Sequence, residues 1–240
     1  MISVLIPTKG RPGMLREALR SLQAQTFPHW EAVVAEDGEG EGLEVVSALA
    51  DPRVRGLRNP GRGQVEARMA ALRESRGEAV LFLDDDDLLL DPAYLYRAWR
   101  ALAQGAGVVY GEGVLLLADQ EVPFAPGQVG PWLLKDNRLL ASGTAVRKKL
   151  LLDLGGLDPA MGDYWDWDLW LRAYRAGVPF RYLKGRGVGV RVHGANQSYG
   201  ARREERALFL ERLRVKHGLE PVPLKDHLQL ALESNSVSGK

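Results

Sequence analysis

Four consecutive acids, Asp84-Asp85-Asp86-Asp87, directly follow the apolar run 79–83. Two other apolar runs also end on polar groups: 2–6 ends in Pro7-Thr8, and 31–35 ends in Glu36-Asp37-Gly38. If these runs are strands of one right-handed parallel sheet, their ends share an edge, and ligands of such sheets bind in the crevice beyond it. Carboxylates gathered there repel one another unless a cation or donor groups neutralise them, and hard ions such as Mg²⁺ or Mn²⁺ prefer oxygen ligands. The chemistry indicated is a divalent metal with a phosphate-bearing ligand. By itself the Asp run also fits a solvated loop whose last members cap the next helix, and Asp37-Gly38 fits a simple turn. The DDxxD motif that binds prenyl diphosphates fits poorly, because Leu88 stands three residues beyond Asp85 and the run follows a strand. Gly61 and Gly63 resemble a phosphate cradle but match neither common nucleotide fingerprint.

The elements that must position these acids follow from periodicity. From residue 2 to about 105, short β-rich runs alternate with helical patterns, as expected of parallel βαβ units. Strands are expected at 2–6, 31–35, 54–57 and 79–83. Pro12 suits the first turn of a helix whose Leu15, Ala18, Leu19 and Leu22 form one apolar stripe. Further helices are expected at 43–50, at 65–76 with Gly77 as its cap, and at 92–104. Beyond 105 the order is less regular: strands at 108–110 and 114–117, a Pro/Gly-rich stretch at 122–131, helices at 148–154 and 165–176, strands at 180–183 and 188–192, and a charged helix at 202–216. The small polar tail 234–240 reads as disordered.

The 240 residues, 45% hydrophobic and 26% charged, describe a soluble globular chain able to bury a full core without staples. Disordered, collagenous and membrane-spanning classes are excluded. With no Cys, disulfides, thiol catalysis and Cys-ligated zinc are excluded as well. Lys and Arg number 32 against 31 acids, so no nucleic-acid partner is expected. The start of the chain lacks the pattern of a signal peptide and reads as cytoplasmic.

Three stretches carry a resemblance. VLIPTKGRPGMLREALRSLQAQTFPHWEAVVAEDGEG is similar to a family opening that reads IPTYNRP, LxSLxxQT and VVDDGS. FLDDDDLLLDP resembles the LDxDD segment that holds the DxD metal motif, and GGLDPAMGDYWDWDLWLRAYRAG resembles a GGFDE, acidic, DWDLWLR stretch. In this order, across about residues 1–195, the set resembles the inverting family 2 of nucleotide-diphosphate-sugar glycosyltransferases.

The resemblance implies an α/β chain of GT-A fold: a Rossmann-like, mostly parallel sheet with helices on both faces and an irregular C-terminal acceptor part. It implies a nucleotide-sugar half over 1–105 and an acceptor half over 106–200, followed by a helical extension over 201–233. It implies transfer from a UDP- or dTDP-sugar to a hydroxyl of a saccharide or lipid-linked acceptor, in polysaccharide or glycolipid synthesis, with Mn²⁺ or Mg²⁺ as cofactor. Pro7 and Thr8 are then expected to line the base pocket with Arg11 beside it, and Asp37 to accept the N3–H of uracil or thymine, a carboxylate being acceptor-only. Arg68 is expected near the nucleotide, Asp84 toward the ribose, Asp85 as the variable middle position of the motif in the donor site, and Asp86 at the metal with His193 as a further ligand. Asp166 is implied as catalytic base, although an acid there also suits a helix N-terminus. Asp163 is expected to face the same cleft and Asp168 to point elsewhere. Of the aromatic cluster 164–174, only Tyr164 or Trp165 is expected to touch acceptor. Lys9 and Gly10 replace a usual Tyr-Asn, Glu36 replaces an Asp, Met69 an Asn and Trp165 a Glu, which leaves base and sugar preference open. Two alternatives stand beside this reading: a sugar-phosphate nucleotidyltransferase, partly imitated by Lys9-Gly10-Arg11-Pro12-Gly13, and a non-catalytic nucleotide-sugar-binding module. The basic helix at 202–216 suits packing on the domain or contact with an anionic membrane.

Overall fold

The computed structural model describes residues 1–193 and 203–238. Four strands, β1 (Ile2–Thr8), β2 (Trp30–Glu36), β3 (Val54–Arg58) and β4 (Ala79–Phe82), run parallel in the order β3-β2-β1-β4. Helices α1 (Pro12–Gln23), α2 (Glu41–Leu49) and α3 (Gln64–Glu74) connect them. The sheet continues through β8 (Ala145–Arg147), β6 (Val108–Leu116), β9 (Phe180–Arg191) and β5 (Leu88–Leu89), with β7 (Glu121–Phe124) on β6. β8 runs antiparallel to both β4 and β6, whereas β6 and β9 are parallel. The remaining helices are α4 (Tyr94–Ala103), α5 (Lys148–Asp153), α6 (Trp165–Arg175), α7 (Arg203–His217) and α8 (His227–Ser238).

β1, β2 and β4 are buried, mostly apolar runs because both faces of the sheet are covered there. Ile2, Val4 and Ile6 of β1 pack with Leu15, Ala18, Leu19 and Leu22 of α1 and with Leu95 and Ala98 of α4. Leu5, Val33 and Phe82 face the opposite layer, built from Val65 and Ala71 of α3 and Leu169, Trp170 and Leu171 of α6. Register pairs Leu5 with Phe82 and Thr8 with Glu36, so β1, β2 and β4 end at one edge, as the sequence patterns require.

Several expectations are corrected. β6 and β9 are each one strand where two short ones are expected. The Gly111-Glu112-Gly113 interruption is a register shift within the β6–β9 pair, and a Cβ on Gly113 would lie 2.6 Å from the Val188 carbonyl oxygen. Gly77 does not cap α3, which ends at Glu74. It is needed for close approach instead: its N–H donates to Ser3 Oγ, and a Cβ there would meet the Met1 carbonyl oxygen at 2.7 Å and the Ser3 nitrogen at 2.8 Å. The tail expected to be disordered from 234 is helical to Ser238, because Leu230 and Ala231 bury one side of α8 in the core and Ser234 Oγ donates to the Leu230 carbonyl; the last two residues of that tail lie outside the described residues. α7 begins at Arg203 and packs through Leu210 and Leu213, with Arg206 buried, so this basic helix is docked on the domain. Among the described residues no helix is long and apolar enough to cross a membrane.

Gly77→Ala should destabilise the protein by about 2 kcal/mol, a fall of roughly 5 °C in Tm. Unchanged thermal unfolding would show that β1 and the turn before β4 do not approach as closely as described.

Candidate active site

A cavity of about 610 Å³ opens beyond the carboxyl edge of β1, β2 and β4. Its walls come from three places: the strand ends and the turn before α3, the segment 137–142, and the entrance to α6 together with α7 and α8. Pro7, Thr8, Arg11, Asp37, Arg68, Asp84, Asp85, Asp86 and Asp166 all line it, so the fold gathers these sequence-selected residues around one space.

At the β2 end, Asp37 is held rather than free to act as a simple turn. Its Oδ1 accepts from Asn59 Nδ2 at 2.7 Å and from the Gly63 backbone N–H at 3.0 Å, while Lys9 Nζ lies 3.7 Å from Oδ2. The Gly-rich turn 59–63 thus serves to fix Asp37. Arg68 is buried behind this wall, donating to Asp84 Oδ1 and to Gln64, with its guanidinium 4.5 Å from the Trp165 ring centroid.

The four acids divide. Carboxylate oxygens of Asp84, Asp86 and Asp87 all lie within 4.8 Å of one another. Asp85 is wholly buried and turned to β1, where it accepts from Thr8 Oγ1 at 2.7 Å and pairs with Arg11 at 2.5 Å. Arg11 also pairs with Asp86 at 2.5 Å, which puts it at the acidic cluster, and His193 Nε2 is 3.1 Å from Asp86 Oδ2. Asp87 accepts from Ser142 Oγ and from the Arg191 N–H. Burial pushes the Asp85 carboxyl up to about 6 against the pull of Arg11. Burial and then the neighbouring acids raise Asp86 and Asp87 as well, with Arg11 and His193 opposing at Asp86. A crowded, buried set of carboxylate oxygens with residual negative charge fits a hard divalent cation, and Asp84, Asp86 and Asp87 are the residues that would hold it. The resemblance put Asp86 at the metal and Asp84 toward the ribose; Asp87, the final acid of LDxDD, was not selected. His193 stands at the end of the described stretch, and the residues that follow it, 194–202, lie outside the described residues.

Asp166 opens α6. Its Oδ1 accepts from the Trp167 N–H at 2.7 Å and its Oδ2 from Asn137 Nδ2 at 2.8 Å. Burial raises it to about 6; Asn137, the Trp167 N–H and Arg68 work downward, and Asp84 upward. Asp168 faces away, as its angular offset on the helix demands. Burial works upward on it, but His217, Lys216 and Arg172 outweigh this and hold it at about 2. Trp167 and Trp170 are core, whereas Tyr164 and Trp165 also reach the cavity, as does Asp163. Asn137, Ser142, Phe209 and His227 line the site without having been selected from sequence. They lie in irregular or C-terminal segments where neither spacing nor residue type marks them.

Residues 3–115 match the family model of glycosyl transferase family 2. An uncharacterized glycosyltransferase, YwdF of Bacillus subtilis, is 29% identical, with 97% of this chain and 90% of that protein aligned. A GalNAc(5)-diNAcBac-PP-undecaprenol beta-1,3-glucosyltransferase of Campylobacter jejuni is 31% identical over 58% of this chain and 45% of its own length. Among solved structures, S. aureus TarS 1–349 in complex with UDP-GlcNAc superposes with a TM-score of 0.73 at 19% identity; the match covers 90% of this chain and 66% of that one, just under two thirds. The fold is GT-A, and the first part of the chain, residues 3–115, matches glycosyltransferase family 2. The family match and the glycosyltransferases among the relatives support a transferase enzyme.

The raised carboxyls make stability depend on pH. Asp85 and Asp166, at about 6, bind protons more tightly folded than unfolded, so their stabilisation is complete below about pH 4 and is lost as pH rises through 6. Asp86 and Asp87 act in the same direction, Asp168 acts only at lower pH, and His227, held neutral by burial, opposes as one group against four. Without divalent cations the protein should melt about 3–6 °C higher at pH 5 than at pH 7.5, and Mn²⁺ should narrow the gap. Equal melting temperatures would refute this account of the cluster.

Proposed function

We propose that this chain is an inverting, divalent-cation-dependent glycosyltransferase that moves a sugar from a UDP- or dTDP-sugar to a hydroxyl of a saccharide or lipid-linked acceptor. The observation that carries the reading is one cavity containing both the Asp84–Asp86–Asp87 cluster and Asp166, a carboxyl pushed up to about 6 and so suited to accept a proton near neutral pH. Asp37 accepts the imino N–H of the base through Oδ2, since Oδ1 is already occupied by Asn59 and Gly63. Pro7 and Thr8 flank the base, Lys9 and Arg11 face the phosphates, and Arg68 holds Asp84 toward the ribose. Asp86, with Asp84, Asp87 and His193 around it, holds the cation. When bound, Mn²⁺ or Mg²⁺ supplies charge neutralisation for the diphosphate.

Asp166 takes the proton of the acceptor hydroxyl while that oxygen attacks the anomeric carbon from the face opposite the diphosphate. The bond from that carbon to the phosphate oxygen breaks, and its electron pair leaves with the nucleoside diphosphate. Tyr164 and Trp165 border the acceptor side. A lipid-linked acceptor is supported by the printed activity of the Campylobacter relative. Peripheral contact with a membrane is supported by Leu208 and Val215 of the basic helix α7, 63% and 66% exposed.

Calorimetry with UDP, dTDP, GDP and CDP, each with and without Mn²⁺, should give cation-dependent binding that favours UDP or dTDP and is lost in Asp86→Ala. Asp166→Asn should lower turnover by about 10²–10⁴-fold and leave cation-dependent UDP binding intact. Wild-type turnover in Asp166→Asn would remove it as the base.

A further inference from the structure

The segment that supplies Asn137 is built to keep it in place. It follows the short 3₁₀ turn Pro131–Leu134, and the Lys135 and Asp136 N–H groups both donate to the Trp132 carbonyl, at 2.8 and 2.9 Å. Asp136 is buried and clamped by Lys225, just before α8, at 2.9 and 3.1 Å, and by Arg138 at 3.2 Å. On the other side, the indole N–H of Trp167, the residue after Asp166, donates to the Leu133 carbonyl at 2.8 Å. The turn, the C-terminal strap and the first turn of α6 therefore fix Asn137 and Asp166 relative to each other.

Within this frame the Asn137 amide has one described partner. Its Nδ2 donates to Asp166 Oδ2 at 2.8 Å, while its carbonyl Oδ1 is buried with no partner among the described residues. A reversed amide would set that carbonyl against the carboxylate, so the orientation is dictated by Asp166. A buried, unpaired carbonyl is a cost to the fold. An asparagine placed for packing alone would not carry that cost.

We propose that Asn137 is the positioning residue of the base: its amide fixes the rotation of the Asp166 carboxylate so that a lone pair faces the acceptor side of the cavity. With Trp167 N–H on Oδ1 and Asn137 on Oδ2, each oxygen keeps one lone-pair direction for an incoming proton. The same donor favours the ionised form of Asp166, in the direction already described. The other charged or titratable groups around this part of the cavity include Arg68 of α3, Asp84 after β4, Asp163, Tyr164, Glu205 and Arg206 of α7, Lys225 before α8 and His227 of α8. None is altered by changing Asn137. Residue 137 lies outside the 3–115 family match, in the irregular half of the chain.

The inference rests on Asp166 being the base, and the test separates the two. In protein labelled with ¹³C-aspartate, the side-chain carboxyl signal absent from Asp166→Asn should titrate near pH 6 in the wild type. Asn137→Ala and Asn137→Leu, the second close in volume but without a donor, should each move that midpoint upward by about one unit. With UDP-glucose and Mn²⁺, UDP release should fall roughly 10- to 100-fold in kcat for both variants, with KM for UDP-glucose unchanged. A purely structural role would leave the midpoint in place. Unchanged midpoint and kcat in both variants, with Asp166→Asn inactive, would overturn the role of Asn137 alone; an active Asp166→Asn would remove the base reading beneath it.

Discussion

The structure depends on keeping four adjacent carboxylates stable at the end of a buried strand. β4 is flanked by β1 and β8 and covered on both faces, so Asp84–Asp87 emerge into an interior edge where water screens little. Each acid acquires its own partner as a result: Arg68 for Asp84, Thr8 and Arg11 for Asp85, Arg11 and His193 for Asp86, Ser142 and the Arg191 N–H for Asp87. These partners come from β1, the loop after it, α3, the segment before β8 and the end of β9. The acidic edge therefore ties together elements from nearly the whole described chain.

The guanidiniums of Arg11, Arg68 and Arg191 do not cancel four carboxylates, and burial pushes Asp85, Asp86 and Asp87 toward protonation. That imbalance suits the edge to a hard divalent cation better than to a structural ion-pair network. The contrast with Asp168 makes the point. It is as deeply buried as Asp85 but meets Arg172, Lys216 and His217, and its carboxyl falls to about 2. Two residues away, Asp166 accepts hydrogen bonds, among the described residues, only from the amides of Asn137 and Trp167, with the Arg68 charge acting without a direct bond, and rises to about 6. Opposite directions on one helix turn separate a carboxylate that anchors α7 from one able to move a proton.

The C-terminal segment takes part in this arrangement. α7 and α8 bury Leu210, Leu213, Leu230 and Ala231 in the two core layers and bring Arg206, Phe209 and His227 to the cavity wall. Lys225 between them clamps Asp136 beside Asn137. A stretch that reads as an appended basic helix with a loose tail thus forms part of the cavity wall.

Local pattern determined the first half of the molecule. Apolar runs ending in Thr8, Asp37 and Asp84, separated by helix-period stripes such as Leu15, Ala18, Leu19 and Leu22, specify parallel strands whose ends must share an edge, because right-handed crossovers allow little else. Residue type and order drew out the run Asp84–Asp87, and the resemblance singled out Asp84, Asp86 and Asp166, which the fold brings to one cavity; Asp87 was not selected. Tertiary structure decided what period and spacing do not encode. Gly113 and Gly77 look like punctuation in one dimension, and only the approach of Val188 and of Met1 and Ser3 reveals why no side chain fits there. Asp85 and Asp86 are the same residue type in one run, and only the strand's exit direction sends one to Thr8 and the other to the cluster. Asn137 lies in an irregular segment with no motif, and its meaning arises from meeting Asp166 across 29 residues of chain, a contact set by packing rather than by any local preference.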